Sequence, residues 1–126
     1  MISLEVAEHL SLSRASGFID DLTNLSNVVL FSAAILMQGG VHHINEQPIN
    51  YWANLFLERG FVPMSCIRLK YWSCLNAADL EGVDIAYANN IVVYINQDKL
   101  SEYGINPQEY IDNFSTISNY TKASSC

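Results

Sequence analysis

Asn27 to Ile35 (NVVLFSAAI) constrains the architecture more than any other part of the chain. The segment is far too short for a membrane span. It also lacks the strict apolar–polar alternation of a strand with one wet face, so a strand covered on both faces is expected. Such strands belong to largely parallel sheets, which need crossover helices. A helix follows at about 48 to 59, where Pro48 precedes Ile49, Trp52, Ala53, Phe56 and Leu57 at helical spacing and Gly60 closes the turn. Between strand and helix lies Gln38 to Gln47 (QGGVHHINEQ), ten residues with two imidazoles, one carboxylate, three side-chain amides and two glycines. A loop leaving the C-terminal end of a buried strand is where open α/β sheets bind ligands, so this stretch is the first candidate site.

The rest of the chain extends the same alternation. Ile2 to Val6 is a short strand, with Glu5-Val6-Ala7-Glu8-His9 at its C-terminal end. A helix from about 13 to 25 places Leu12, Ala15, Phe18, Ile19, Leu22 and Leu25 on one side, with Ser11 or Ser13 as its cap. Phe61 to Ile67 has strand character, and Pro63 points to an edge position or a bulge. Residues 73–89 show no clear period and are read as irregular or a short helix. Asn90 to Asn96 (NIVVYIN) is the last strand. Residues 1–96 are thus one α/β unit, and 97–126 a polar extension with one amphipathic helix after Pro107 and a disordered end.

Composition narrows the function. Half of the 126 residues are apolar, enough for one domain with a modest core. Six basic against thirteen acidic residues give a net charge of -7 with no Lys/Arg cluster, which disfavours nucleic acid. The N-terminus MISLEVAEHL has no basic region ahead of an apolar core, and no run is long enough to span a bilayer; a soluble cytoplasmic protein is expected. Cys66, Cys74 and Cys126 form no CxxC pair, so neither a disulfide framework nor a thiolate zinc site is expected.

Within the loop, His43 is read as a general base or substrate hydrogen-bonder, or as a residue whose hydrogen bond organises the loop. His42, His43 and Glu46 are not read as a metal site, because adjacent histidines point to different sides and a third ligand would have to come from elsewhere. One of Asn45, Glu46 and Gln47 is expected to cap the following helix. Tyr51 is placed at the pocket and Trp52 in the core. Arg68 suits either a substrate carboxylate or phosphate, or a surface ion pair.

In order along the chain stand EVAEH, VVLFSAA, QGGxHHINEQ, YWxxLF, ERGF, IRxxxW and NxxVYI. This series, over Ile2 to Ile95, resembles the C-terminal half of a class I S-adenosylmethionine-dependent methyltransferase. The resemblance implies a partial Rossmann-like sheet holding the family's strands in the order 4-5-7-6, the seventh antiparallel. It also implies Glu5, Val6 and His9 beside S-adenosylmethionine, and His43 as the catalytic residue. Gln38, Gly39, Gly40, His42, Asn45, Glu46, Tyr51 and Arg68 would then face a methyl acceptor, small-molecule or unknown. The family's first strand and its glycine-rich cofactor turn have no counterpart: the glycines lie at 17, 39, 40, 60, 82 and 104, with no GxGxxG. A truncated or split methyltransferase is therefore expected, its first strand an open edge for a separate N-terminal half or a second copy. The alternative is a non-catalytic interaction module, or a decayed methyltransferase, that binds a partner by strand addition there.

Overall fold

The computed structural model describes residues 1–64, 67–68, 90–106 and 108. Four strands form one mixed sheet: β1 (Ile2–Leu4), β2 (Val28–Ser32), β3 (Phe61–Met64) and β4 (Val92–Asn96), in the order β1-β2-β4-β3. β1 and β2 are parallel, and β4 runs antiparallel to both β2 and β3. β1, β2 and β3 therefore share one direction. Packed with it are the helices α1 (Leu12–Leu25) and α2 (Ile49–Leu57), an α/β arrangement among the described residues. The expected order of four strands, with the last inserted antiparallel between the second and third, is the order observed.

Both faces of the sheet are covered, for the reason the apolar runs suggested. Successive side chains of a strand alternate between faces. On one face Val29 and Phe31 of β2, with Val92 and Tyr94 of β4, meet Ala15, Ile19 and Leu22 of α1 and Trp52, Ala53 and Phe56 of α2. Its centre is aromatic: Phe31 packs edge-on against Phe56 at 5.3 Å, and Phe56 stacks on Tyr94 at 3.8 Å. Burial among these rings pushes the Tyr94 phenol well above its ordinary range. On the other face Val62, Met64, Val93 and Ile95 lie under Leu100, and Ile105 packs against them. Leu100 and Ile105 come from the stretch read in sequence as polar extension.

Several element ends differ from expectation, each for a local reason. β1 stops at Leu4 instead of Val6 because Glu5 takes φ 52, turning the chain into a 3-10 turn at Ala7–His9. β2 stops at Ser32 instead of Ile35 because its last paired residues are Ser32 with Leu4 and Phe31 with Val92. β3 ends at Met64, and Ile67 and Arg68 are already helical. Pro63 sits in that edge strand, where its missing N–H costs no ladder bond on the open side. Leu12 and Leu25, expected on the apolar side of α1, are exposed at its two ends. Ser11 is the N-cap, but its hydroxyl hydrogen-bonds the Ser13 hydroxyl at 3.0 Å and caps no backbone N–H. Pro48 itself occupies the N-cap of α2, so none of Asn45, Glu46 and Gln47 caps that helix. Residues 73–89, and the helix expected after Pro107, lie outside the described residues, Gln108 apart. No helix among the described residues is long and apolar enough to cross a membrane.

Candidate functional site

Because β1 and β2 are parallel, the segments that leave them emerge at one end of the sheet. Glu5–His9 and the loop at 36–47 face each other there. Three backbone-based contacts join them: the Glu8 carbonyl accepts from the Ile44 and Asn45 amides at 3.0 and 2.9 Å, and the His42 carbonyl accepts from His9 Nδ1 at 3.2 Å.

Glu46 organises the loop. Its carboxylate accepts from the Met37 amide at 3.0 Å, the Gly39 amide at 3.1 Å and His43 Nδ1 at 3.1 Å. A carboxylate accepts and does not donate, so His43 Nδ1 carries a proton, and in the neutral ring the lone pair lies on Nε2. The imidazole packs so closely over Gly40, at φ 151, that a Cβ there would overlap the ring. This explains one glycine of the pair. Gly39, at φ 72, is needed for its backbone alone, since nothing lies near a Cβ at that position. Met37 and His42 hold φ 68 and φ 63 without being glycine.

A second network lies deeper. Gln38 Oε1 accepts from the Ile35 amide at 3.2 Å and from the buried Asn90 Nδ2 at 2.7 Å, while Gln38 Nε2 donates to Glu5 Oε2 at 3.5 Å. Asn45 is buried, its Oδ1 accepting from Gln47 Nε2 at 2.9 Å.

Behind both networks sits Glu8, wholly buried, with no hydrogen-bond donor from another described residue to either carboxylate oxygen. Glu8 Oε1 is 4.0 Å from His9 Nε2 and 4.0 Å from His43 Nε2. Desolvation raises its pKa above the usual carboxylate range, against the opposing pull of its own backbone amide and the two imidazoles. The two rings meet edge to face at 4.9 Å.

The sequence-based candidates thus divide. Glu5, His9, Gln38, Gly39, Gly40, His42, His43, Asn45 and Glu46 gather at one end of the sheet. Val6, half-exposed, introduces the 3-10 turn beside them. Tyr51 instead packs on the apolar cluster, its ring edge-on to Trp52 at 5.0 Å. Arg68 is buried, at 1 % exposure, which rules out the surface ion pair considered for it; its charge acts on Tyr94. A β3 that ends three residues earlier than expected carries Arg68 past the strand and inward. Two contributors were not singled out for the site by sequence. Asn90 reads there only as the polar start of a strand. Glu8 reads only as the companion of His9 or an acid opening a helix, and its burial follows from the 3-10 turn, which no spacing rule announces.

The chain matches no known protein family, no curated protein and no solved structure.

Proposed function

We propose that this chain is the acceptor-side half of a class I S-adenosylmethionine-dependent methyltransferase, a partial Rossmann-like domain with Glu5 to His9 toward the cofactor and the 36–47 loop over the methyl acceptor. The observation that carries the reading is the sheet order. The motif series implies 4-5-7-6 with an antiparallel seventh strand, and β1-β2-β4-β3 with antiparallel β4 has that arrangement. Convergence of the two motif segments, EVAEH and QGGVHHINEQ, at the carboxyl ends of β1 and β2 supports it further.

In this reading His43 is the base. Glu46 holds its Nδ1–H and fixes the ring, leaving Nε2 to take the proton of an acceptor nucleophile as the methyl group transfers. The transfer needs little covalent help from protein, so most of the rate comes from placing the nucleophile in line with the sulfonium methyl. Gln38, His42 and Asn45 offer polar contacts to the acceptor; Tyr51 and Arg68 support the fold around it.

β1 has one strand neighbour among the described residues, and Ile2 beside its open edge is exposed. The reading assigns that edge to a strand of the cofactor-binding half, supplied by a separate polypeptide or a second copy. The same open edge favours a second reading, a non-catalytic module that captures a partner by strand addition.

Isothermal titration with S-adenosylmethionine and S-adenosylhomocysteine, of the chain alone and mixed with any polypeptide encoded directly upstream, separates the two. Saturable binding in either arm supports the methyltransferase reading. No binding up to millimolar cofactor in both arms contradicts it and leaves strand addition.

A further inference from the structure

We propose that Glu8, His9 and His43 form a binding site for a divalent first-row transition-metal cation. Their three candidate ligand atoms lie within 4.8 Å of one another. Ligands at zinc-like distances stand about 3.4 Å apart around a tetrahedral ion, so closure takes roughly an ångström of side-chain movement. His9, with its side chain 43 % exposed, has the room to make it.

Three features prepare the site. Glu8 is wholly buried and brings Oε1 to 4.0 Å from both Nε2 atoms, with no hydrogen-bond donor from another described residue on either carboxylate oxygen. A buried carboxylate left without partners is costly, and a cation satisfies it. Both imidazoles are already fixed in the ligating tautomer, since His43 Nδ1 donates to the Glu46 carboxylate and His9 Nδ1 to the His42 carbonyl. Both Nε2 lone pairs are thereby turned to the Glu8 side. An oxygen acceptor on the far nitrogen of a ligating histidine is the usual outer-shell support of such sites.

The donor set selects the ion. Two nitrogens and one carboxylate suit zinc, iron(II) or manganese(II) with positions left open, whereas magnesium and calcium take oxygen donors. The third ligand that the adjacent histidines lacked in sequence thus comes from the turn after β1, while His42 points its ring outward.

The inference does not rest on methyl transfer. A cation on His43 Nε2 would occupy the lone pair that a general base uses, so metal and acceptor compete for that atom, and zinc titration needs no cofactor.

The test is calorimetric titration of the tag-free, chelator-dialysed chain with zinc chloride. One site per chain with micromolar or tighter affinity is expected. His9→Ala, the least buried of the three positions, and His43→Ala should each weaken it by about a hundredfold or more, and Glu46→Gln by about 10–100-fold through the outer shell. Glu8→Gln, equal in size, should abolish the zinc-induced rise in Tm seen in the parent chain. Glu58→Gln changes an exposed carboxylate at the C-terminal end of α2, away from the site, so it should leave affinity unchanged. The proposal is overturned if zinc does not saturate, if affinity survives in His9→Ala and His43→Ala, or if Glu58→Gln weakens binding as much as they do. Circular dichroism confirms that each variant compared is folded.

Discussion

Phe31, Phe56 and Tyr94, where the sheet meets α2, and Glu5 to His9 with the 36–47 loop, where β1 and β2 end, are built on opposite terms. The first region is apolar and interlocked, with the Trp52 indole N–H a buried polar atom there that lacks a partner among the described residues. The second concentrates what folding disfavours: a buried carboxylate with no hydrogen bond from any other described residue and three non-glycine residues at positive φ. It also exposes Leu36, Met37, Val41 and Ile44. Strain and unsatisfied polarity persist only where surrounding structure over-determines them, and they gather at sites that bind. The contrast marks one region as the source of stability and the other as the candidate for ligand chemistry.

The largest effect should come from the packed region. Phe56→Ala removes the ring stacked on Tyr94 and is expected to lower stability by about 3–5 kcal/mol, read from urea unfolding. A loss below about 1 kcal/mol would mean that the aromatic cluster is not the anchor of the fold.

Gly40→Ala tests the opposite region. The added methyl must displace His43, and φ 151 strains it further, for a stability cost of about 1–3 kcal/mol. Its distinguishing result is a loss of zinc affinity larger than the parent's sensitivity to Phe56→Leu, measured where both variants are folded. Equal losses would erase the division between the regions.

A smaller effect of opposite sign is expected at Met37, which is exposed and held at φ 68. Met37→Gly relieves the backbone, and after the entropy glycine adds to the unfolded chain the net gain is roughly 0.5–1 kcal/mol. A destabilised variant would show that the loop is not strained there.

The smallest expected effect concerns pH and lies between the helices. Arg59 Nε donates to Asp20 Oδ1 at 2.6 Å, and this hydrogen bond holds the Asp20 carboxyl below its usual range. A lowered folded-state pKa contributes stability above the unfolded-state carboxylate pKa, and that stability is lost as pH falls through the lowered value. Asp20→Asn should therefore flatten a modest acid limb of the stability curve. An unchanged limb would assign acid sensitivity to other carboxylates.

The packed region was the more legible of the two. Predominantly apolar runs at 27–35 and 90–96, and Ile49, Trp52, Ala53 and Phe56 at helical spacing, mark faces that must be buried, because burial dominates the choice of structure there. The order of the strands came from the motif series, since pairing between distant segments leaves no trace in periodicity. At the site, sequence located the loop and His43, but it misplaced the helix cap. It also set Arg68 at the surface as one option and left Glu8 a secondary residue. All three depend on exact backbone torsions: Pro48 taking the cap, β3 ending at Met64, and Glu5 at φ 52. Composition does not encode such torsions, and shifts of two or three residues redirect every side chain beyond them.

The most direct test of the division is a backbone amide NMR titration of the chain with S-adenosylhomocysteine at millimolar concentration, where even a site lacking a glycine-rich turn registers. Shifts centred on residues 5–9 and 36–47, with α2 and β3 unmoved, are predicted. Shifts centred on α2 and β3 would contradict the account, as would the absence of shifts at saturation of the ligand's solubility both for the chain alone and for the chain mixed with any polypeptide encoded directly upstream.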